Sequence, residues 1–193
     1  MDNIKNTMLT SPDDCKAASY INYNVDDALL GASIRETQEI HLQSIIGSNL
    51  LHRLQELVYN AIQDEEDTID DDANGLYKEL LDNYVQPYLN VKTQAALCLP
   101  VSLKLRNYGV AKNSDTNIQS TSVREIMAAQ NRYNTMAAKY ATAISKFLCV
   151  HRDDFPELNE TDCGCGVFVP AIIGKTFVET GLVLGDTKNK CLC

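Results

Sequence analysis

Apolar residues recur at three- and four-residue steps over much of the chain, which places them on one face of an α-helix. The longest such region follows Asp26 and carries Leu29, Leu30, Ile34, Ile40, Ile45, Ile46, Leu50, Leu51, Leu54, Leu57, Val58 and Ile62. Within it, Gly47, Ser48 and Asn49 have the composition of a helix break followed by a new cap. The pattern therefore predicts two helices here.

Start and stop signals predict the next elements. Ser11 and Pro12, followed by two aspartates, predict a short helix that ends at about Ser19. The turn at residues 74–75 precedes an apolar face that begins a further helix, made of Leu76, Tyr77, Leu80, Leu81 and Tyr84. We expect Pro87 to bend or end that helix, and helical character to resume and stop near Pro100.

The last predicted helix begins at a capping box formed by Ser122 and Glu125. Its apolar face then continues at helical spacing through Val123, Ile126, Tyr133, Ala137, Tyr140, Ile144 and Phe147. Between Pro100 and this helix, alternating Val101, Leu103 and Leu105 predict a short strand, and polar residues 107–120 predict a long loop.

The character of the chain changes beyond His151. Two apolar runs, residues 167–173 and 177–184, flank a Gly-Lys-Thr turn and favour an extended, β-like tail. We therefore predict an all-α fold with a four- to five-helix core. Its predicted divisions are an N-terminal arm (1–24), a helical domain (25–150) and a C-terminal tail (151–193).

Charge is unevenly distributed along the chain. The net charge is −9, but residues 64–72 alone hold seven acids and no base. Over residues 101–148 the balance reverses, with seven bases against two acids. Opposite charges of this kind suit head-to-tail contacts between copies. No apolar stretch approaches a membrane span, and seven cysteines without an export signal indicate reduced thiols in a cytoplasm.

Two patterns resemble metal sites incompletely. Asp70, Asp72 and Asn74 fit the first half of a calcium loop, but Leu81 occupies the position of its closing glutamate. A solvated acidic loop is therefore favoured. Two pairs of cysteines, Cys163 with Cys165 and Cys191 with Cys193, are spaced more closely than in usual zinc sites, so free thiols are favoured and binding stays open.

Other residues that could carry chemistry are isolated. His41 and His52 would share a face of one continuous helix, but no ligand pattern completes a site around them. Cys98 and Cys149 have the apolar helical surroundings of small core residues. No nucleophile, phosphate-binding or metalloprotease motif occurs. We therefore expect no enzyme, no catalytic residue and no cofactor.

One polar pattern favours contact with a partner. Arg132, Lys139 and Lys146 recur every seven residues on the last helix and so form a basic stripe. A solvated face and a partner-facing face are both open interpretations. Nucleic-acid recognition is the weaker one, because the chain is acidic overall and the stripe lacks interleaved aromatic residues.

Four blocks of the sequence resemble the tailed-phage head-to-tail connector, or neck adaptor, family of ring proteins, with crAss-like phages as the nearest type. They are VDDALLGASIRETQEIHLQSIIGSNLLHRL at 25–54, YKELLDNYVQPYL at 77–89, NYGV at 107–110 and the helix from Ser122. The first block is similar to the family's paired helices broken at a glycine. The third is similar to its inter-helical loop.

The resemblance implies a structural protein of the virion neck, assembled in the host cytoplasm. It implies a ring of about twelve copies that joins the portal to other neck or tail proteins and lines a channel for DNA. DNA would pass without sequence-specific binding, and no membrane is involved. Expected interface residues are Asn107, Gly109, Val110, Arg132, Lys139, Lys146, Phe168, Ile172 and Phe177. The alternative is a small regulatory adaptor that binds metal or a partner through its acidic loop or cysteine-rich tail.

Overall fold

A computed structural model describes residues 2–18, 21, 25–64, 69, 71–106, 109–112 and 122–158 of this chain. These residues are mostly helical, which confirms the predicted all-α core. The two apolar runs on which the predicted extended tail rests lie outside the described residues.

Two short helices open the chain, α1 (Asp2–Lys5) and α2 (Pro12–Ala17). The predicted cap of α2 is present, since the Asp14 amide donates to Ser11 Oγ at 3.0 Å. Residues 6–11 join the two helices without helical structure. The predicted N-terminal arm therefore consists of two short helices and an irregular segment between them.

The long apolar region forms two helical rods. The first is α3 (Asp27–Glu36), which continues through a π-helical segment (Thr37–Leu42) into α4 (Gln43–Ile46). The second is α5 (Ser48–Gln63). Gly47 separates them with φ +84° and ψ 163°, a conformation that is open almost only to glycine. The break predicted at Gly47 is confirmed.

A second interrupted rod follows. Helix α6 (Asp71–Leu80) is kinked at Asn74, where the sequence predicts a turn, and a π-helical segment (Leu81–Val85) links it to α7 (Gln86–Ser102). Pro87 has no amide hydrogen for an α-helical bond to the Asn83 carbonyl, so a departure from α geometry before it is expected. The disruption expected at Pro87 is therefore a widened turn rather than an end.

A small hairpin follows α7. Strand β1 (Leu103–Arg106) pairs antiparallel with β2 (Gly109–Lys112), with Leu105 opposite Val110. Strand β1 confirms the predicted strand over residues 103–106, whereas residues 101–102 belong to α7. The predicted loop is wrong over residues 109–112, because the backbone groups of an isolated strand need a partner and these residues supply it.

Helix α8 (Val123–Val150) is the longest helix among the described residues. Its capping box is confirmed by two hydrogen bonds: the Ser122 amide donates to Glu125 Oε2 at 2.8 Å, and the Glu125 amide donates to Ser122 Oγ at 3.3 Å. Among the described elements, α8 and α7 share the most extensive packing. Two 3₁₀ turns follow α8 (Arg152–Asp154 and Pro156–Leu158).

The rods pack around two buried apolar clusters. The main cluster draws residues from every helix from α4 through α8 and from both π-helical segments. It includes Leu42, Ile46, Leu50, Leu54, Leu80, Val85, Leu89, Ile144 and Phe147. A smaller cluster joins α2, α3 and α7 through Cys15, Leu30, Ile34 and Leu97. Phe155 and Leu158 also belong to the main cluster, so the first eight residues of the predicted tail pack on the helical core.

Candidate functional site

The basic stripe predicted from the sequence lies on the outer face of α8. Arg132, Lys139 and Lys146 are all exposed. Seven residues turn a helix by nearly two full turns, so the three cations share one face of a rod that is about 42 Å long. Val150 lies one turn beyond Lys146 on that face and is 70% exposed. The surface that carries these four side chains is named here the α8 stripe.

A shallow groove of about 390 Å³ adjoins the C-terminal end of the α8 stripe. Lys146 and Val150 line one side of it, with Glu79 and Tyr84 also among its lining residues. Phe147 lies in its wall and packs against the Tyr84 ring at a centroid distance of 4.8 Å. The groove thus combines the aromatic side chains of Tyr84 and Phe147 with the polar side chains of Glu79, Lys146 and His151.

The other predicted interface residues are placed only in part. Gly109 and Val110 lie in β2, in the hairpin that follows α7. Asn107 and the tail residues Phe168, Ile172 and Phe177 lie outside the described residues. Among the described candidates, the three cations form one shared surface and the two hairpin residues belong to a different element.

The predicted metal patterns are described only at their edges. Asp72 and Asn74 lie in the kinked helix α6, whereas Asp70 and all four tail cysteines lie outside the described residues. In the part of the chain that is described, no group of three or more His, Cys, Asp or Glu side chains is arranged to hold a metal ion. In that same part, no helix is long and apolar enough to cross a membrane.

The two histidines do not share a helix. Gly47, the predicted break, separates His41, in the π-helical segment after α3, from His52 on α5, so the condition for a shared helix face is not met. His52 is exposed, whereas His41 is half-buried. Burial lowers the pKa of His41, the nearby Lys92 ammonium lowers it further, and Glu36 opposes both. His41 is therefore neutral at pH 7.

The described cysteines behave as apolar residues. Cys98 and Cys149 are half-buried, in keeping with the predicted packing role, and Cys15 is fully buried. None of the three forms a disulfide with another described residue. The Cys98 thiol donates to the Gln94 carbonyl at 3.2 Å, and burial raises the pKa of Cys98. A raised pKa keeps the thiol protonated and poorly nucleophilic.

A set of buried amide side chains, absent from the sequence predictions, holds the chain between α1 and α2. Gln38 forms two bonds with this backbone: its Nε2 donates to the Thr7 carbonyl at 3.0 Å, and its Oε1 accepts from the Leu9 amide at 2.9 Å. Gln55 Nε2 donates to the carbonyls of Lys5 and Thr7 at 3.0 and 3.2 Å. Residues 5–10, the arm segment, are therefore bound chiefly through their backbone.

Gln86 and Asn90, at the start of helix α7, also bind the arm segment. Together with Gln38 and Gln55 they form the binding site that is named here the seat. Gln86 Nε2 donates to the Leu9 carbonyl at 3.3 Å, and Thr10 Oγ1 donates to Asn90 Oδ1 at 3.2 Å. The Leu9 side chain is 2% exposed and belongs to the main apolar cluster. Backbone hydrogen bonds combined with one apolar anchor are the usual means of binding an extended peptide.

The sequence contains a signal for this seat, namely the positions of Gln38 and Gln55. Gln38 stands four residues after Ile34 and four before Leu42, and Gln55 stands four after Leu51. Each is thus a polar residue on an otherwise buried helix face. A buried amide needs hydrogen-bond partners, so such positions indicate that a polar backbone passes nearby.

Comparison with protein families shows where part of this chain belongs. A family model described as "Family of unknown function (DUF6712)" matches residues 42–166. The match covers Gln55, Gln86, Asn90 and the α8 stripe, and it begins after the arm and α3. Neither the curated proteins nor the solved structures contain a match to this chain.

Proposed function

We propose that this protein, which belongs to the DUF6712 family of unknown function, is a structural subunit of a ring in the neck of a tailed phage. In this role the ring joins the portal to the tail and surrounds the path of the DNA. The proposal starts from the four sequence blocks that resemble neck adaptor proteins. It requires no catalytic group and no cofactor.

The observation that carries the proposal is the α8 stripe. Three cations and an exposed valine lie on one face of a long, well-packed helix. The same chain carries seven acids and no base over residues 64–72. A basic rod on one copy and an acidic run on the next can attract each other, and this contact is heterologous. Heterologous contacts close into a ring when the rotation between copies divides a full turn.

The function of such a ring is geometric. Each subunit buries apolar surface against its neighbours, and the ring as a whole docks on the portal. The net charge of −9 per chain gives the assembly an acidic surface that does not retain DNA electrostatically. DNA therefore passes through the lumen without sequence-specific contacts.

Imaging of phage particles that contain this protein tests the proposal directly. We expect a closed ring, twelvefold like the portal, between the portal and the tail. Absence of the chain from particles, or its presence there as a monomer, contradicts the proposal. Stabilisation by zinc or calcium would instead favour the regulatory alternative.

A charge reversal tests the α8 stripe separately. The double variant Arg132→Glu, Lys139→Glu should fold normally but enter particles poorly, because both side chains are exposed and contribute little to the monomer. The matched control is Arg35→Glu, Arg152→Glu, which reverses two exposed cations outside the stripe. Equal incorporation of the two double variants would exclude the stripe from the interface.

A further inference from the structure

The seat of the arm segment is made of residues that lie far along the chain from the arm itself. Gln55, Gln86 and Asn90 lie inside the family match, whereas Gln38 and the arm segment lie outside it. The residues of each hydrogen bond are between 29 and 80 positions apart in the chain. The helical core thus presents a peptide site, which the chain's own arm occupies here.

The seat recognises features that every copy of the chain offers. Of the six hydrogen bonds, five go to the backbone of the arm segment, and Leu9 supplies the apolar anchor. A second copy presents the same backbone and the same leucine. Exchange of the arm between two copies therefore preserves every one of these contacts, and the chemistry of the seat does not distinguish the two arrangements.

Exchange of the arm segment requires the rest of the arm to move with it. Helix α2 follows it and contacts the core through buried Cys15 and through the ion pair between Lys16 and Asp27. Nine residues, 18–26, join α2 to α3, and a chain of that length spans up to about 30 Å when extended. A neighbouring seat within this distance is therefore within reach of the arm.

We infer that, in the assembled ring, the arm of one copy occupies the seat of the next copy. The unassembled chain keeps its arm in its own seat, because an empty seat would expose Leu9, Cys15 and the amides of Gln38 and Gln55. This inference rests on the proposed ring, in which an arm passed in one direction around the circle links all copies. The partner for the seat is thus residues 5–10 of a second copy.

Isotope-mixed cross-linking of the unaltered protein tests the inference. Labelled and unlabelled chains are mixed before assembly, and a zero-length carbodiimide reagent then joins Lys16 to Asp27, an arm-to-core ion pair. Peptide pairs that combine one labelled and one unlabelled half arise only between chains. We expect such mixed pairs in the ring and only unmixed pairs in the dilute monomer.

A second measurement uses the contact of Thr10 with Asn90. The variants Thr10→Cys and Asn90→Cys are mixed, assembled and treated with a short thiol cross-linker, and exchange yields a species of twice the 21.4 kDa chain mass. Each variant assembled alone controls for the native cysteines. The double variant Thr10→Cys, Asn90→Cys, cross-linked within one chain when dilute, shows that the two positions can be joined.

The outcomes separate this inference from the proposed function. Rings that give only unmixed Lys16–Asp27 pairs and no doubled species overturn the exchange and leave the ring standing. A chain that forms no ring in particles overturns the proposed function, and the exchange falls with it.

Discussion

The phenolic hydroxyl of Tyr77 lies 3.0 Å from both carboxylate oxygens of Glu157, a residue 80 positions later in the chain. Arg53 approaches the same carboxylate at 3.9 Å and lies over the Tyr77 ring. Phe155 packs edge-on against that ring at a centroid distance of 5.0 Å. The residues after α8 are thus bound to α6 by a hydrogen bond and an aromatic contact, and to α5 by an ion pair.

Removal of the Tyr77 hydroxyl should loosen this attachment. Tyr77→Phe should lower the free energy of unfolding by about 0.5–1.5 kcal/mol, the usual net value of one hydrogen bond, as measured by urea denaturation. Tyr84→Phe is the control, since the Tyr84 hydroxyl has no hydrogen bond to any described residue. Equal effects of the two substitutions would show that the bond to Glu157 contributes nothing.

Stability should also fall at alkaline pH. Burial, followed by the Glu157 carboxylate, raises the pKa of Tyr77 to about 12, and burial alone raises the pKa of Tyr88 to about 12. The unfolded chain loses these protons near the ordinary tyrosine pKa, so the stabilisation is complete below about pH 10 and is lost towards pH 12. Urea denaturation at a series of pH values measures this loss, which should be smaller in Tyr77→Phe and Tyr88→Phe.

Two glycines offer a matched test of backbone strain. A Cβ at either Gly31 or Gly47 would meet nothing within 4 Å, but only Gly47 has a positive φ. Gly47→Ala should therefore cost about 1–3 kcal/mol of stability, whereas Gly31→Ala, inside α3, should be neutral or stabilising by about 0.5–1 kcal/mol. Thermal unfolding of the two variants compares them. A loss of similar size in both would show that Gly47 has another role.

Phe155 should prove to be a core residue although it lies beyond the last long helix. Its side chain is fully buried in the main cluster, so Phe155→Ala should cost about 3–5 kcal/mol of stability. The measurement is the urea midpoint, and Pro156→Ala, at an exposed neighbour, is the control. An unchanged midpoint for Phe155→Ala would mean that residues 152–158 leave the core in solution.

One buried threonine should be better replaced by an apolar residue. Thr93 is fully buried in α7, and its Oγ1 has no hydrogen-bond partner among the described residues. Thr93→Val keeps the shape and removes the unpaired hydroxyl, so it should stabilise the fold by up to about 1–3 kcal/mol. Thr142→Val, which removes a bond to the Ala138 carbonyl, is the control and should not stabilise. Loss of stability in Thr93→Val would indicate a partner for Thr93 in solution.

Local signals in the sequence predicted local structure. The capping box of Ser122 and Glu125, the cap at Ser11 and the break at Gly47 depend on residues within one turn of each other, and all three are confirmed. Strand β2 was missed, because its four residues become a strand only through pairing with β1.

Contacts between distant residues could not be predicted in this way. The bonds of Gln38 to the arm segment, and of Tyr77 to Glu157, join positions 29 to 80 apart, and no spacing rule covers such pairs. Helical periodicity did place three of the expected interface residues, Arg132, Lys139 and Lys146, on the exposed face of α8. Their partner is a property of the assembly, so the fold of one chain does not determine it.

The bond between Thr10 and Asn90 has a consequence for the order of events during synthesis. Ribosomes add about 5–20 residues per second, so Thr10 leaves the ribosome roughly 4–16 s before Asn90 completes its seat. During that interval the nascent arm has no docking site on its own chain. Copies made side by side on one messenger RNA could therefore exchange arms before either has finished folding, and the rate of translation, rather than the equilibrium between closed and exchanged forms, would then decide how many do so.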